Sequence, residues 1–243
     1  MCGIAGFCLH PEEEVNAKRL SMGLLTQIVK RGQDATGAAW VEYDNKTKRS
    51  SITVSKAPVS AHRFEPFIAP MPIRARRAIL HTRWATQGSP QDNLNNHPIV
   101  SGGIIGVHNG VLHNDDAVFA HIGSERFGQV DSEAAFALID YTSQHPANVL
   151  SSLKGRAALA WFDARDKRDL HLARVSDSPL VVGGTAKGSL IFASTLPLLL
   201  AGVQRSGLTL TWTEEIEERT YLRVRNGEIA DCYLIGESEK AIA

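Results

Sequence analysis

Small and apolar residues alternate from Gly3 to Leu9, the period of a short strand that begins almost at the first residue. From Val15 to Lys30 the period changes: Leu20, Leu24, Leu25, Ile28 and Val29 fall at helical spacing, and Gly32 ends the helix. Strands are predicted over 36–43 and 50–55, with Asp44-Asn45 as turn residues between them. Another runs from Arg77 to Arg83 and gives way to an irregular stretch, 85–97, rich in Gly, Pro, Asn and Gln. Loops of that length inside a domain are usually functional or disordered.

Ile104 to Val107 reads as a buried strand that delivers His108-Asn109-Gly110 at its end. Helices are predicted over Asp115–His121 and Asp131–Thr142, with Asp131 or Ser132 able to cap the second. The rest reads as strands, at 157–163, 169–174, 179–183, 189–193, 208–212, 219–224 and 228–234. Asp166-Lys167, Gly183-Gly184, Lys187-Gly188 and Asn226-Gly227 supply turns between them. Helices in one block and antiparallel strands in others indicate a layered α+β fold, not a parallel βαβ one. No linker, charge block or internal repeat divides the chain, so residues 1–243 are expected to form one domain.

Composition narrows the function classes. With 26 basic and 26 acidic side chains the formal net charge is zero, which argues against an obligatory nucleic-acid partner. The nearest basic cluster, Arg74, Arg76 and Arg77, reads as a solvated face or an edge-strand guard. No apolar run reaches the roughly 18 residues of a membrane span, and no signal peptide is evident. Cys2, Cys8 and Cys232 are too few for a disulfide framework, so a reducing cytoplasm is expected and the sequon at Asn45 carries no meaning. Cys8 and Cys232 lie in apolar alternating stretches and read as core. The 9 histidines contain no His-Glu-x-x-His and no partnering Cys cluster, so neither a metal nor another cofactor is expected. Of them, His62, His113, His121, His145 and His171 read as ordinary surface or core groups, and Gly183–Ser189 lacks the lysine of a phosphate-binding loop.

Chemistry enters at the chain start. In Met1-Cys2-Gly3-Ile4 the small second residue permits removal of Met1, which would leave Cys2 with a free α-amine. Such an amine has an ordinary pKa near 8, so one residue can supply both nucleophile and base. Taken singly, Cys2 reads first as an incidental core or surface residue. Arg83, followed by Trp84-Ala85-Thr86-Gln87-Gly88, can hold a guanidinium fork over a carboxylate; its plainer reading is a surface arginine stacked on Trp84. The Asn109 amide and the Gly110 N–H could converge on one oxygen as an oxyanion hole, or Asn-Gly could be a turn. Asp131 could hold a substrate ammonium or merely cap its helix.

Together these segments resemble a known family. Met-Cys-Gly-Ile, Arg31-Gly32-Gln33-Asp34, His81–Thr86, Asn96-His97-Pro98, His108-Asn109-Gly110 and Asp131-Ser132-Glu133 occur in the order seen in class II glutamine amidotransferase domains. These are the glutaminase domains of glucosamine-phosphate synthase and amidophosphoribosyltransferase, and the resemblance runs from Cys2 to about residue 225. It implies a four-layer αββα N-terminal-nucleophile hydrolase sandwich with two stacked antiparallel sheets. It implies Cys2 as nucleophile, Asn109 and Gly110 as oxyanion hole, Arg83 on the glutamine α-carboxylate and Asp131 on its α-amine. Trp84 and Thr86 would line the pocket, and Arg31 and His97 would support it.

Within the family the sequence is a hybrid. Arg31–Asp34 is similar to the amidophosphoribosyltransferase version, residues 81–98 to the glucosamine-phosphate synthase one, with Gln87 where that synthase usually has His. The sequence stops where those enzymes continue into a synthase domain, so ammonia released from L-glutamine is expected to pass to an acceptor on a separate chain. The alternatives are a free-standing glutaminase or other N-terminal-cysteine amidohydrolase, and a non-catalytic relic of the fold.

Overall fold

The alternation at the chain start becomes β1 (Gly3–Cys8), and its two faces enter different layers. Ile4 and Cys8 join one buried cluster, Ala5 and Phe7 another, as happens when both faces of a sheet are covered. The computed structural model describes residues 1–44 and 47–237. After β1 come α1 (Ala17–Ile28), β2 (Ala35–Asp44), β3 (Arg49–Ala57), α2 (Glu65–Ile68), β4 (Arg77–Arg83), β5 (Ile99–Ser101) and β6 (Ile104–Leu112). The helices α3 (Asp115–Ile122), α4 (Ser132–Tyr141) and α5 (Pro146–Val149) lead to β7 (Gly155–Asp163), β8 (Asp166–Ser176), β9 (Val181–Thr185) and β10 (Leu190–Ala193). Finally α6 (Leu196–Gln204) precedes β11 (Leu210–Glu215), β12 (Thr220–Arg225) and β13 (Glu228–Leu234).

The strands form two antiparallel sheets, one in the order β11-β9-β10-β1-β4-β2-β3 and one in the order β13-β12-β8-β7-β6-β5. Three apolar layers hold them. Leu20, Leu24 and Ile28 of α1 and Leu199 and Val203 of α6 pack on the outer face of the first sheet. Ala158, Ala160 and Phe162 of β7 meet Ile4, Ile79 and Phe192 between the sheets. Ala157, Leu159 and Trp161, the alternate residues of β7, join the layer that holds Phe136 of α4 and Phe119 of α3. The result is the αββα sandwich of the expected α+β class.

Several local expectations change. β6 continues through His108-Asn109-Gly110 to Leu112, so Asn-Gly lies inside a strand and is not a turn. Gly183-Gly184 likewise sits within β9, and the turn expected at Asp166-Lys167 falls at Ala164-Arg165 instead. The helix after Val15 ends in a 3-10 turn, Val29–Arg31, and Gly32 is extended at φ −171°, not left-handed. α2, α5, α6 and β5 were not anticipated; α6 begins Leu-Pro-Leu-Leu-Leu and offers no polar face to give it a period. Arg76 and Arg77 do not guard an edge, because β4 lies inside its sheet. Arg76 donates to the His10 and Glu13 carbonyls, and Arg77 to that of Arg168. Asn45, with its half of the predicted turn and its sequon, lies outside the described residues. Among the described residues no helix is long and apolar enough to cross a membrane.

The layer between the sheets should dominate stability. Phe162→Ala, at a fully buried site, is expected to cost about 3–5 kcal/mol in urea unfolding. Val100→Ala on the exposed face of β5 should stay within about 0.5 kcal/mol; equal effects would show that the layer is not packed as described.

Candidate active site

Strand pairing sets the site. β1 lies between β10 and β4, with Gly3 opposite Thr82, while Ala35 of β2 is opposite Arg83. Cys2, one residue before Gly3, therefore lies beside Arg83. Its thiol donates to the Trp84 carbonyl at 3.7 Å, and its own carbonyl accepts from Arg31 Nε at 2.8 Å. Thr82 Oγ1 donates to the Ile28 carbonyl at 2.8 Å, tying the end of α1 to the same strand. Burial pushes the Cys2 thiol up from its ordinary value; the chain-start ammonium and Arg83 pull it down, and Asp131 pushes it up.

Arg83 is buried, and its terminal nitrogens are committed. Nη1 donates to Asn96 Oδ1 at 2.9 Å, and Nη2 to the carbonyls of Gln87 and of Gly88, the latter at 2.9 Å. This excludes the reading of a surface arginine stacked on Trp84. Asp34 braces the turn that follows: its N–H donates to the Arg83 carbonyl at 3.0 Å, and its Oδ2 accepts from Ala85 N at 2.7 Å.

The second sheet supplies the opposite wall. Alternation along β6 turns Ile105 and Val107 toward the first sheet, and Asn109 shares their parity. His108 faces α4, with Nδ1 2.8 Å from Ser132 Oγ and Nε2 3.3 Å from the Arg156 carbonyl. Gly110 adopts φ +152°, and a Cβ there would sit 1.8 Å from the Arg156 carbonyl oxygen, so only glycine fits. Asp131 stands where a helix cap would, yet makes no capping hydrogen bond. Its Oδ2 accepts from Leu112 N at 2.5 Å, and Ser132 does not cap either. The loop before it is held by Glu133, which accepts from Phe127 N at 2.8 Å and Gly128 N at 2.7 Å.

Cys2, Arg83, Trp84, Thr86, Gln87, His97, His108, Gly110, Val130, Asp131 and Ser132 surround one small cavity of about 20 Å³. Of the residues expected from the sequence, Asn109 is buried one position from Gly110 but does not line it, and Arg31 stands behind Cys2. Gln87, Val130, His108 and Ser132 join the wall without having been assigned a part, and Asp34 and Asn96 brace Arg83. Asp34, Asn96, His108 and Ser132 are polar residues within the segments that carry the resemblance, a signal that could have found them; Gln87 and Val130 lie just outside those segments.

Three histidines pack here in neutral form. His81 and His97 stack with ring centroids 4.0 Å apart, and His81 Nε2 lies 3.1 Å from the His108 carbonyl. Burial holds His81 down to about 3, places His97 well below its ordinary value and lowers His108. An unfolded histidine titrates near 6.5, so below that pH the unfolded chain binds protons that the folded chain refuses. The stability these rings contribute is present above pH ~6.5 and is lost as pH falls toward the folded values, by roughly 1 to 2 kcal/mol per ring per pH unit. Urea unfolding at about pH 7.5 and about pH 5 should show a loss of several kcal/mol, and His81→Gln should flatten that slope. A slope unchanged in the variant would mean that His81 is not kept neutral.

Residues 81–201 match a family model described as a glutamine amidotransferase domain. The chain is 30% identical over 212 residues to the glutamine–fructose-6-phosphate aminotransferase (isomerizing) of Staphylococcus aureus, covering 82% of this chain and 33% of that protein. The Pyrococcus horikoshii enzyme of the same name is 30% identical over 217 residues, covering 85% and 34%. Among solved structures, the glutamine phosphoribosylpyrophosphate amidotransferase of B. subtilis, complexed with ADP and GMP, superposes with a TM-score of 0.75 at 21% identity, over 98% of this chain and 50% of that one. A structure described as the allosteric regulatory enzyme of purine biosynthesis gives 0.74 at 22% identity, over 94% and 48%. The chain spans about a third of the length of the curated relatives it matches. By matched family model and by sequence likeness across most of its length, the chain carries a glutamine amidotransferase domain.

Proposed function

We propose that the protein hydrolyses L-glutamine to glutamate and ammonia through a thioester on Cys2. The observation that carries this reading is the convergence of Cys2, Arg83, Asp131 and Gly110 on one cavity. A free amino acid is a zwitterion, and a cation and an anion on opposite walls suit its two ends. Burial raises the thiol, so attack needs a base in contact with it, and loss of Met1 would provide one in the Cys2 amine. Met1 is two-thirds exposed, open to processing.

In the proposed cycle the amine takes the thiol proton as sulfur attacks the side-chain amide carbon. Asn109 and Gly110 donate to the oxygen that becomes negative, and the amine's proton leaves with ammonia. Water then adds to the thioester carbon and expels the thiolate, giving glutamate. Arg83 takes the α-carboxylate and Asp131 the α-ammonium. Trp84 and Thr86 line the pocket, Arg31 holds the Cys2 carbonyl and His97 fills the wall behind. A cavity of about 20 Å³ holds little more than a water, so glutamine must displace the Gln87 and Gly88 carbonyls from Arg83 and take their hydrogen bonds. The names of the curated relatives describe amino transfer to fructose 6-phosphate, and this chain matches about a third of their length. That likeness supports delivery of the released ammonia to an acceptor bound by a synthase.

Cys2→Ala should abolish glutamate release while glutamine still binds; surviving turnover would mean another nucleophile. Intact mass should show loss of Met1 and one adduct on Cys2 after treatment with a diazoketone glutamine analogue, whereas retained Met1 without an adduct counts against the reading. Asp131→Asn should raise the KM for glutamine about tenfold or more with a much smaller change in kcat, and an unchanged KM would remove Asp131 from substrate binding.

A further inference from the structure

The first sheet ends at β3, where Lys56 pairs with Gly37 of β2. Lys56 is half-buried, and its Nζ donates to the Asn96 carbonyl at 2.8 Å and the Pro98 carbonyl at 3.1 Å. These acceptors flank His97, so one ammonium spans the residue whose ring lines the cavity with Cys2. The contact is returned by Asn93 Nδ2, which donates to the Lys56 carbonyl at 3.4 Å. Gly37 leaves room for this arrangement, since a Cβ there would lie 1.9 Å from the His97 carbonyl oxygen.

Two inward connections lead from the clamped segment to the site. Asn96 Oδ1 accepts from Arg83 Nη1 at 2.9 Å, while Asn96 Nδ2 donates to the Pro90 carbonyl at 2.7 Å and to Asn93 Oδ1 at 2.9 Å. The His97 ring stacks on His81, but neither ring nitrogen has a hydrogen-bond partner among the described residues. Among the described residues, side-chain polar contacts therefore hold His97 through its neighbours Asn96 and Pro98, and Lys56 supplies two of them.

We propose that Lys56 is a positioning residue: its ammonium fixes the Asn96–Pro98 backbone so that Asn96 aims Arg83 and His97 stays against the cavity. Affinity for glutamine then depends on a side chain that does not touch it. This rests on the glutaminase reading above. Burial pulls the Lys56 ammonium down to about 8 and Asp92 opposes that, as expected for a cation that has exchanged part of its water for protein carbonyls. Hydrogen bonds from a charged donor are the stronger kind, so an apolar replacement loses more than a neutral contact.

The test uses the full chain with Lys56→Met, which keeps most of the stem, and Lys56→Arg, which keeps the charge. Lys56→Met is expected to raise the KM for glutamine about tenfold with kcat within about twofold, and Lys56→Arg to recover most of the loss. Amide hydrogen exchange across residues 85–98 should quicken in Lys56→Met, while that of β4 and β6 stays as in the wild type. An unchanged KM overturns the proposal, as does faster exchange throughout the fold, which would mark Lys56 as merely structural. Failure of the underlying reading looks different: the wild-type protein itself would release no glutamate and take no adduct on Cys2, and this proposal would fall with it.

Discussion

Antiparallel pairing of β1 with β4 is the constraint on which the rest depends. It sets Gly3 against Thr82, which brings the first residues beside Arg83 and aims alternate side chains either at the other sheet or at α1. Because the side-chain period of a strand is two, a slip of one residue would turn Cys2 away from the gap between the sheets and Phe7 into it. Burial guards against this slip: Ile4 and Ile79 are fully enclosed between the sheets, and Phe7 is fully enclosed on the other face. The register of a core strand thus fixes the position of a group at the chain's end, where backbone is ordinarily loose.

Around that fixed point the site is assembled from pieces that satisfy one another. Arg83 gives its hydrogen bonds to loop carbonyls, and Asp131 accepts from Leu112. His81 and His97 behind them are held neutral by burial, and the charge of Arg83 acts in the same direction. A buried cation left without acceptors would cost several kcal/mol, so closure of the loop onto Arg83 is the way a closed cavity tolerates it. On the proposed function, glutamine binding is an exchange of acceptors, not the filling of a void.

Much of this was legible in the sequence, because runs of small and apolar residues mark strands covered on both faces and helical spacing marks α1. β4 and β13 come out at the residues expected, and the class of fold follows from the order of the blocks. Chemistry was legible only as a set: Cys2, Arg83, Gly110 and Asp131 each have an ordinary reading alone, and the resemblance made them one site. What stayed hidden depended on partners remote in the chain. Asp131 holds its position as a cap yet bonds to Leu112, and Asn109-Gly110 looks like a turn but is paired with Ala158 and Ala157 of β7. α6 lacked a polar face to reveal its period, and Lys56 looked like any polar residue on an edge strand, since its acceptors lie some forty residues on.

Arg31 grips the Cys2 carbonyl from behind while Gly3 is already paired, so the backbone after Cys2 is anchored whatever precedes it. On the proposed chemistry, an affinity tag fused ahead of Cys2 would leave that anchoring intact and convert the amine into an amide. Such a preparation would fold, elute and crystallise like the authentic protein and yet be inert, so purification handles belong at the other terminus.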